Sequence, residues 1–229
     1  MAVIVGLVSQ KGGVGKSTLA RALGAVVAHA GLKVRIADLD PKQHTLVEWQ
    51  RTRGENRFAP NLDVRAYATV AQAVSGLAND ELLILDAPAG AGRRTQEIAK
   101  TADLIIQPTS GSLDDLRPAI LFFHELVQAD IPNERFAIAL SRILSLAEDE
   151  AARSYIAKAG YEVLAGAIPE RAAYREAHNR GQALTEAKRR PQDTGVESLI
   201  EALFDKVHDL MLAKARYTKA AERAKESKI

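Results

Sequence analysis

The chain has no cysteine among its 229 residues. That absence excludes disulfides, thiolate metal sites and iron–sulfur clusters together, and it fits a reducing compartment. Excess charge is also absent. The formal net charge is only +2, so any surface for nucleic acid or lipid has to come from local clustering. No apolar run reaches the length of about eighteen residues that a membrane-spanning helix needs. The start, MAVIVGLVSQKGG, has no basic stretch before its short apolar run, so it is not read as a signal peptide. There is no internal repeat and no low-complexity linker. What remains is an ordinary globular composition, 47% hydrophobic and 26% charged, in a chain long enough for one substantial α/β domain.

Apolar runs alternate with segments of helical period. AVIVGLVS (2–9), KVRIADLD (33–40), ELLILDAP (81–88), DLIIQPT (103–109) and FAIALSRI (136–143) are predicted strands. LDVRAYA (62–68) is predicted as a short edge strand and EVLAGAIP (162–169) as a further one. Residues 17–30, ending at Gly31, and 70–78 are predicted helices. Short apolar strands separated by helices imply a doubly wound, mostly parallel sheet with helices on both faces. The expected organisation is one domain, 1–212, and a basic helical tail, 213–229. From about Val196, Leu199, Ile200, Leu203, Phe204, Val207, Leu210 and Met211 recur at helical spacing. Beyond Leu212, AKARYTKAAERAKESKI is basic and almost free of bulky apolar residues.

The segment LVSQKGGVGKSTLARAL (7–23) carries the most chemistry. Gly12, Gly13, Val14, Gly15, Lys16, Ser17 and Thr18 follow a strand and open a helix. Glycines let backbone N–H groups turn toward an anion, and the helix N-terminus adds partial positive charge. Lys16 is placed to reach the β/γ-phosphates of a nucleotide, and the Ser17 hydroxyl to ligate Mg²⁺. The general phosphate-loop pattern has a glycine where this chain has Gln10, so the loop is a variant in which Lys11 precedes the glycines. Parallel sheets bind ligands at the carboxyl ends of their strands. Asp38, Asp40 and Asp86 stand at such ends.

KGGVGKST resembles the deviant Walker A motif of the ParA/MinD superfamily of P-loop ATPases. The resemblance runs over roughly residues 1–210 and implies an ATPase that uses ATP and Mg²⁺. It implies that Lys11 crosses a dimer interface to the partner's phosphates while Lys16 serves its own. ADLDPKQ resembles the D-x-D-P segment, in which Asp40 would position or activate the attacking water and Asp38 would support the Mg²⁺ shell. LLILDAPAG resembles the Walker B strand, with Asp86 holding Mg²⁺ through water. QPTSGSLDDLRPA (107–119) resembles a segment near the dimer interface. AIPERAAYREAHNRGQALTE (167–186) resembles the segment in which Pro169 and its neighbours line the adenine pocket. Two departures are visible: Ala87-Pro88-Ala89-Gly90 stands where many relatives carry two prolines, and Lys42 lies between Pro41 and Gln43. The chemistry asks for little more, because phosphoryl transfer is mostly positioning and charge neutralisation.

Within the superfamily, types with cysteine ligands are excluded by composition. A MinD-like membrane helix needs bulky apolar residues between its basic ones, and after Leu212 only Tyr217 and Ile229 are bulky, so no membrane partner is expected. The chain starts at its first strand, without the helix-turn-helix extension of larger operator-binding ParA proteins. The resemblance is therefore closest to the small ParA-type partition ATPases. It implies a cytoplasmic, nucleoid-associated homodimer that forms with ATP and binds DNA without sequence preference. A ParB-like or other adaptor protein would stimulate hydrolysis. Lys188, Arg189 and Arg190, with Lys214, Arg216, Lys219, Arg223, Lys225 and Lys228, are the candidate DNA contacts. The alternative is a MinD-like positioning ATPase acting on a membrane or protein scaffold. A biosynthetic ligase of the dethiobiotin-synthetase type is the third reading, and Lys11 argues against it.

Overall fold

A computed structural model describes residues 2–40, 43–77, 80–90, 92–187 and 194–226, with side chains of the last helix described to Ala221. Seven strands form one sheet: β1 (Val3–Leu7), β2 (Val34–Asp38), β3 (Asp63–Ala66), β4 (Leu82–Asp86), β5 (Leu104–Thr109), β6 (Phe136–Ile143) and β7 (Ile168–Pro169). Their order is β3-β2-β4-β1-β5-β6-β7 and every pairing is parallel. Among the described residues, eight α-helices connect or follow them: α1 (Lys16–His29), α2 (Thr45–Glu55), α3 (Val70–Ser75), α4 (Arg93–Thr101), α5 (Leu113–Gln128), α6 (Leu146–Lys158), α7 (Ala172–Asn179) and α8 (Thr194–Glu226).

The apolar strands read as continuous runs because both faces of the sheet are covered. Successive side chains point to opposite faces. Val3, Val5, Leu7, Leu82 and Ile84 pack with α1 and α8 on one side. Leu83, Leu85, Ile105, Ile138 and Leu140 pack with α4, α5 and α6 on the other. β1 lies between β4 and β5, and the chain crosses over it from one to the other. The crevice at the carboxyl end of β1 is therefore the place where such a sheet holds a ligand.

Three predicted elements are shorter than the pattern implied. The strand expected over 162–169 becomes a single bridge from Ile138 to Val163 and the two-residue β7. Gly166, at φ 68, turns the chain between them. The helix expected over 70–78 ends at Ser75 with Gly76 as its cap, and residues 78 and 79 lie outside the described residues. β3 is a half-exposed edge strand of four residues.

Two side-chain clusters fix the helices around the crevice. Arg53 of α2 is fully buried and donates to the carbonyls of Ala59, Pro60 and Gly181 and to both oxygens of Glu186, at 2.6 and 2.7 Å. A buried guanidinium is tolerable only when its donors are met in this way. Trp49, 4% exposed, has the guanidinium groups of Arg21 and Arg53 over its ring, at 5.3 and 5.5 Å from the ring centre. Its indole Nε1 donates to the Gln182 carbonyl. At the other end of the molecule, Lys214 of α8 donates to the Ala2 carbonyl and to Asp103, fixing the long helix to the amino-terminal edge of β1 and β5.

Candidate nucleotide-binding site

β1 delivers the chain to the crevice, and residues 9–15 loop over it before α1 begins. Gly13 and Gly15 adopt φ values of 76° and 112°, which L side chains rarely take. A Cβ on Gly15 would also lie 2.7 Å from Ser141 Oγ. The loop is thus held open by residues that lack side chains, while Val14 points into the core at 4% exposure. No side chain caps α1, and its first turn holds no acidic residue. Its first N–H groups and its partial positive charge are left for an incoming anion.

Lys16, Ser17, Asp86 and Asp40 converge below the loop. Lys16 is 8% exposed. Burial holds its pKa below the ordinary lysine value, opposed by the charges of Asp86 and Asp40. Ser17 Oγ donates to Asp86 Oδ2 at 2.6 Å. Asp86 Oδ1 is buried and has no hydrogen-bond partner among the described residues. Burial pushes the Asp86 pKa up to about 7, against the pull of the Ser17 hydrogen bond and the Lys16 charge. An orphaned buried carboxylate oxygen beside a serine hydroxyl is a donor set that fits a hard divalent cation. Such a cation would restore the ionised form.

Asp38 is 2% exposed, and each of its carboxylate oxygens accepts a backbone N–H, one from Asp40 and one from Leu46. It shapes the loop that carries Asp40 and the start of α2. The Asp40 carboxylate accepts from the Gln43 N–H at 3.2 Å. Lys11 stands apart from this cluster. Its Nζ donates to Asp115 Oδ1 at 2.7 Å, in a pair that is 43% and 22% exposed. Asp115 lies in the first turn of α5, and Ser110 also donates to it. Burial would raise its pKa, but hydrogen bonds from Lys11 and Ser110 and the charges of Lys11 and Arg142 outweigh that and hold it low.

Beside the loop opens a cavity of about 320 Å³, lined by Gly13, Gly15, Thr18, Ser141, Pro169 and Tyr174 among others. Pro169 lines this cavity together with the loop residues Gly13 and Gly15. His178 also faces this cavity, and burial followed by the charge of Arg21 pushes its pKa down to about 4, so it is neutral at pH 7. Sequence reasoning did not name Asp115, Ser141 or His178. Their signal was position, since Asp115 and Ser141 follow or end a parallel strand at its carboxyl edge.

Of the candidate DNA contacts, the described ones lie away from the loop. Lys188, Arg189 and Arg190 lie outside the described residues, as do Lys228 and the side chains of Arg223 and Lys225. Arg216 and Lys219 are exposed on the part of α8 that extends past Lys214, at the edge of the sheet opposite the loop. Lys214 itself is engaged within the protomer by Asp103 at 2.6 Å. No helix among the described residues is long and apolar enough to cross a membrane.

The family model described as the CobQ/CobB/MinD/ParA nucleotide binding domain matches residues 5–184. Among solved structures, the fold is similar to the septum site-determining protein MinD complexed with Mg-ADP from Pyrococcus horikoshii. That match has 20% identity, covers 92% of this chain and 97% of that one, and has a TM-score of 0.71. A ParA family ATPase from Chlorobium tepidum matches at 17% identity over 90% and 99% of the two chains, with a TM-score of 0.65. The Cyanothece McdA(D38A)–ATP complex matches at 17% identity over 91% and 96%, with a TM-score of 0.61.

Proposed function

This chain belongs to the CobQ/CobB/MinD/ParA nucleotide-binding family, and from that premise we propose that it is a Mg²⁺-dependent ATPase that dimerises with ATP to partition DNA. The observation that carries the reading is the pair of lysines around one glycine loop. Lys16 is buried beside Asp86, whereas Lys11 is half-exposed and held by Asp115.

In this reading Lys16 and the first N–H groups of α1 hold the phosphates. Ser17 and Asp86 hold the metal ion, with Asp38 supporting its surroundings through the loop it organises. Mg²⁺ held there would supply charge neutralisation for the phosphates. Gly12, Gly13, Val14, Gly15 and Thr18 shape the cradle, and Pro169 lines the slot for the base. Asp40 orients the attacking water. Lys11 exchanges Asp115 for the phosphates of a second protomer. The exchange is easy because a surface ion pair of this kind contributes little. Each protomer does the same for the other across a two-fold axis. The γ-phosphate rewards the contact and its loss withdraws the reward, so nucleotide state is read as assembly state.

Arg216 and Lys219, with Lys188, Arg189, Arg190 and Arg223 of the sequence, supply a non-specific electrostatic footprint for DNA. An adaptor protein of the ParB kind stimulates release. A MinD-like positioning role on a scaffold is the second reading, favoured by the similarity to MinD and McdA structures. Gel filtration with ATP and with ADP at roughly 0.5 M salt, where contacts between exposed charges are screened, tests the first part: dimer with ATP and monomer with ADP is expected, and the same size in both overturns it. Co-sedimentation with DNA, against anionic liposomes, decides between partition and membrane positioning.

A further inference from the structure

α8 is one uninterrupted helix of 33 residues, about 50 Å long. Its inward face buries Val196, Leu199, Leu203 and Val207. Its outward face has an order of charge. At 3.6 residues per turn, Glu197, Glu201, Asp205 and Asp209 follow one another turn by turn, and Leu212, Arg216 and Lys219 continue the same face. Between Glu197 and Lys219 the face is therefore acidic first, then apolar at Leu212, which is 43% exposed, then basic, before Glu222 and Glu226 follow in the sequence. Glu201, Asp205, Asp209, Arg216 and Lys219 are all exposed, and none forms an ion pair with a described residue.

Local effects do not account for this order. Acids spaced four residues apart repel one another along a helix. The helix dipole favours acids only in the first turn and bases only in the last, and Asp205 and Asp209 lie in the middle. A solvated face needs charge but no sequence of signs. The basic half is complementary to the acidic half, yet one unbroken helix cannot fold back on itself to join them. A second copy can.

We propose that α8 pairs antiparallel with the same helix of a second copy, about a two-fold axis at Leu212. In that register Asp205 faces Lys219 of the partner subunit, and Asp209 faces Arg216 of the partner subunit. The members of each pair are nearly equidistant from Leu212 along the chain. The two leucines meet at the axis, and the exposed Ala215 lets the backbones approach. The contact is isologous, so it closes as a pair. It lies at the sheet edge opposite the phosphate loop. It therefore needs neither nucleotide nor Lys11, and it competes with DNA for Arg216 and Lys219.

Sedimentation equilibrium of the full chain, without nucleotide and with a chelator, tests the pairing. The wild type associates at low ionic strength, and its association constant falls at least about tenfold between roughly 50 mM and 0.5 M salt as exposed charges are screened. Reversing the basic half (Arg216→Glu with Lys219→Glu) leaves a monomer, and so does reversing the acidic half (Asp205→Lys with Asp209→Lys). Mixing these two variants restores association, because each now carries one sign at the four paired positions. Circular dichroism checks that both remain helical. Restored association in the mixture establishes the pairing. A wild type that is monomeric at low salt, or a mixture that stays monomeric, overturns it. So does loss of DNA binding in the basic-half variant when self-association is unchanged. Failure of ATP-driven dimerisation, read separately with Lys11→Ala, would leave this result untouched.

Discussion

Asp86→Asn separates the two tasks of one carboxylate. The side chain is 4% exposed, and burial raises its pKa from 3.8 to about 7, against the Ser17 hydrogen bond and the Lys16 charge. In the unfolded chain the group ionises near its ordinary value. As pH rises, the unfolded state therefore loses its proton first. Between about pH 4 and pH 7 the native state binds more protons than the unfolded state, so the unfolding free energy falls with pH and levels off above the folded pKa. The interval from 3.8 to about 7, at 1.36 kcal/mol per pH unit, amounts to about 4 kcal/mol. Asparagine stays neutral throughout, and its carbonyl still accepts from Ser17. In the ligand-free protein the variant is therefore the more stable form. The gap is under about 1 kcal/mol near pH 4 and about 4 kcal/mol at pH 8, or roughly 10 °C in Tm for a chain of this size. Thermal unfolding followed by circular dichroism from pH 4 to 8, with chelator, measures it. Adding Mg²⁺ and nucleotide should reverse the order, since ligand binding stabilises only the form that binds it. Parallel pH profiles, or a variant less stable at pH 8, would refute the burial argument.

Lys11→Ala should keep ATP binding in the monomer and lose ATP-driven dimerisation and hydrolysis; gel filtration with ATP and a phosphate-release assay check both, and wild-type behaviour would reduce Lys11 to a partner of Asp115. Asp40→Ala should bind ATP normally and turn it over at least about a hundredfold more slowly, accumulating as an ATP-bound dimer; normal turnover would move the water-positioning task elsewhere. Gly15→Ala forces a side chain into φ 112° with its Cβ 2.7 Å from Ser141 Oγ. It should cost about 1–2 kcal/mol of stability and lower nucleotide affinity by at least about tenfold, as titration calorimetry would read; an unchanged affinity would show that the loop can relax.

The loop and the sheet were legible because their signals are local. Gly13, Gly15 and Lys16 sit between an apolar run and a helix, and that succession needs no tertiary information. Each long strand was visible as an apolar run because both faces are buried. β7 was not, because its pairing with β6 is made by only two residues after the turn at Gly166. Strand order was also hidden, since nothing in the pattern says that β4 lies between β2 and β1. In the site, Asp86 was legible from its place at a strand end. The separate work of Asp38, which binds the amides of Asp40 and Leu46, depends on how the loop folds. The hold of Asp115 on Lys11 joins the phosphate loop to the first turn of α5, and the sequence alone gives no distance between them.

Trp49 has an optical consequence. It is the chain's one tryptophan, and its ring is gripped by a cation from α1 and a cation from its own helix α2. Its Nε1 is tied to the segment after α7. α1 carries Lys16, α2 follows the loop of Asp40, and α7 borders the slot. The single tryptophan thus sits where α1, α2 and the segment after α7 meet, beside the proposed nucleotide site. Any shift of α2 against α1 changes the distance from the indole to a charge, and so changes its emission. The unlabelled protein carries its own strain gauge: under red-edge excitation, which the five tyrosines hardly absorb, tryptophan emission follows any such shift.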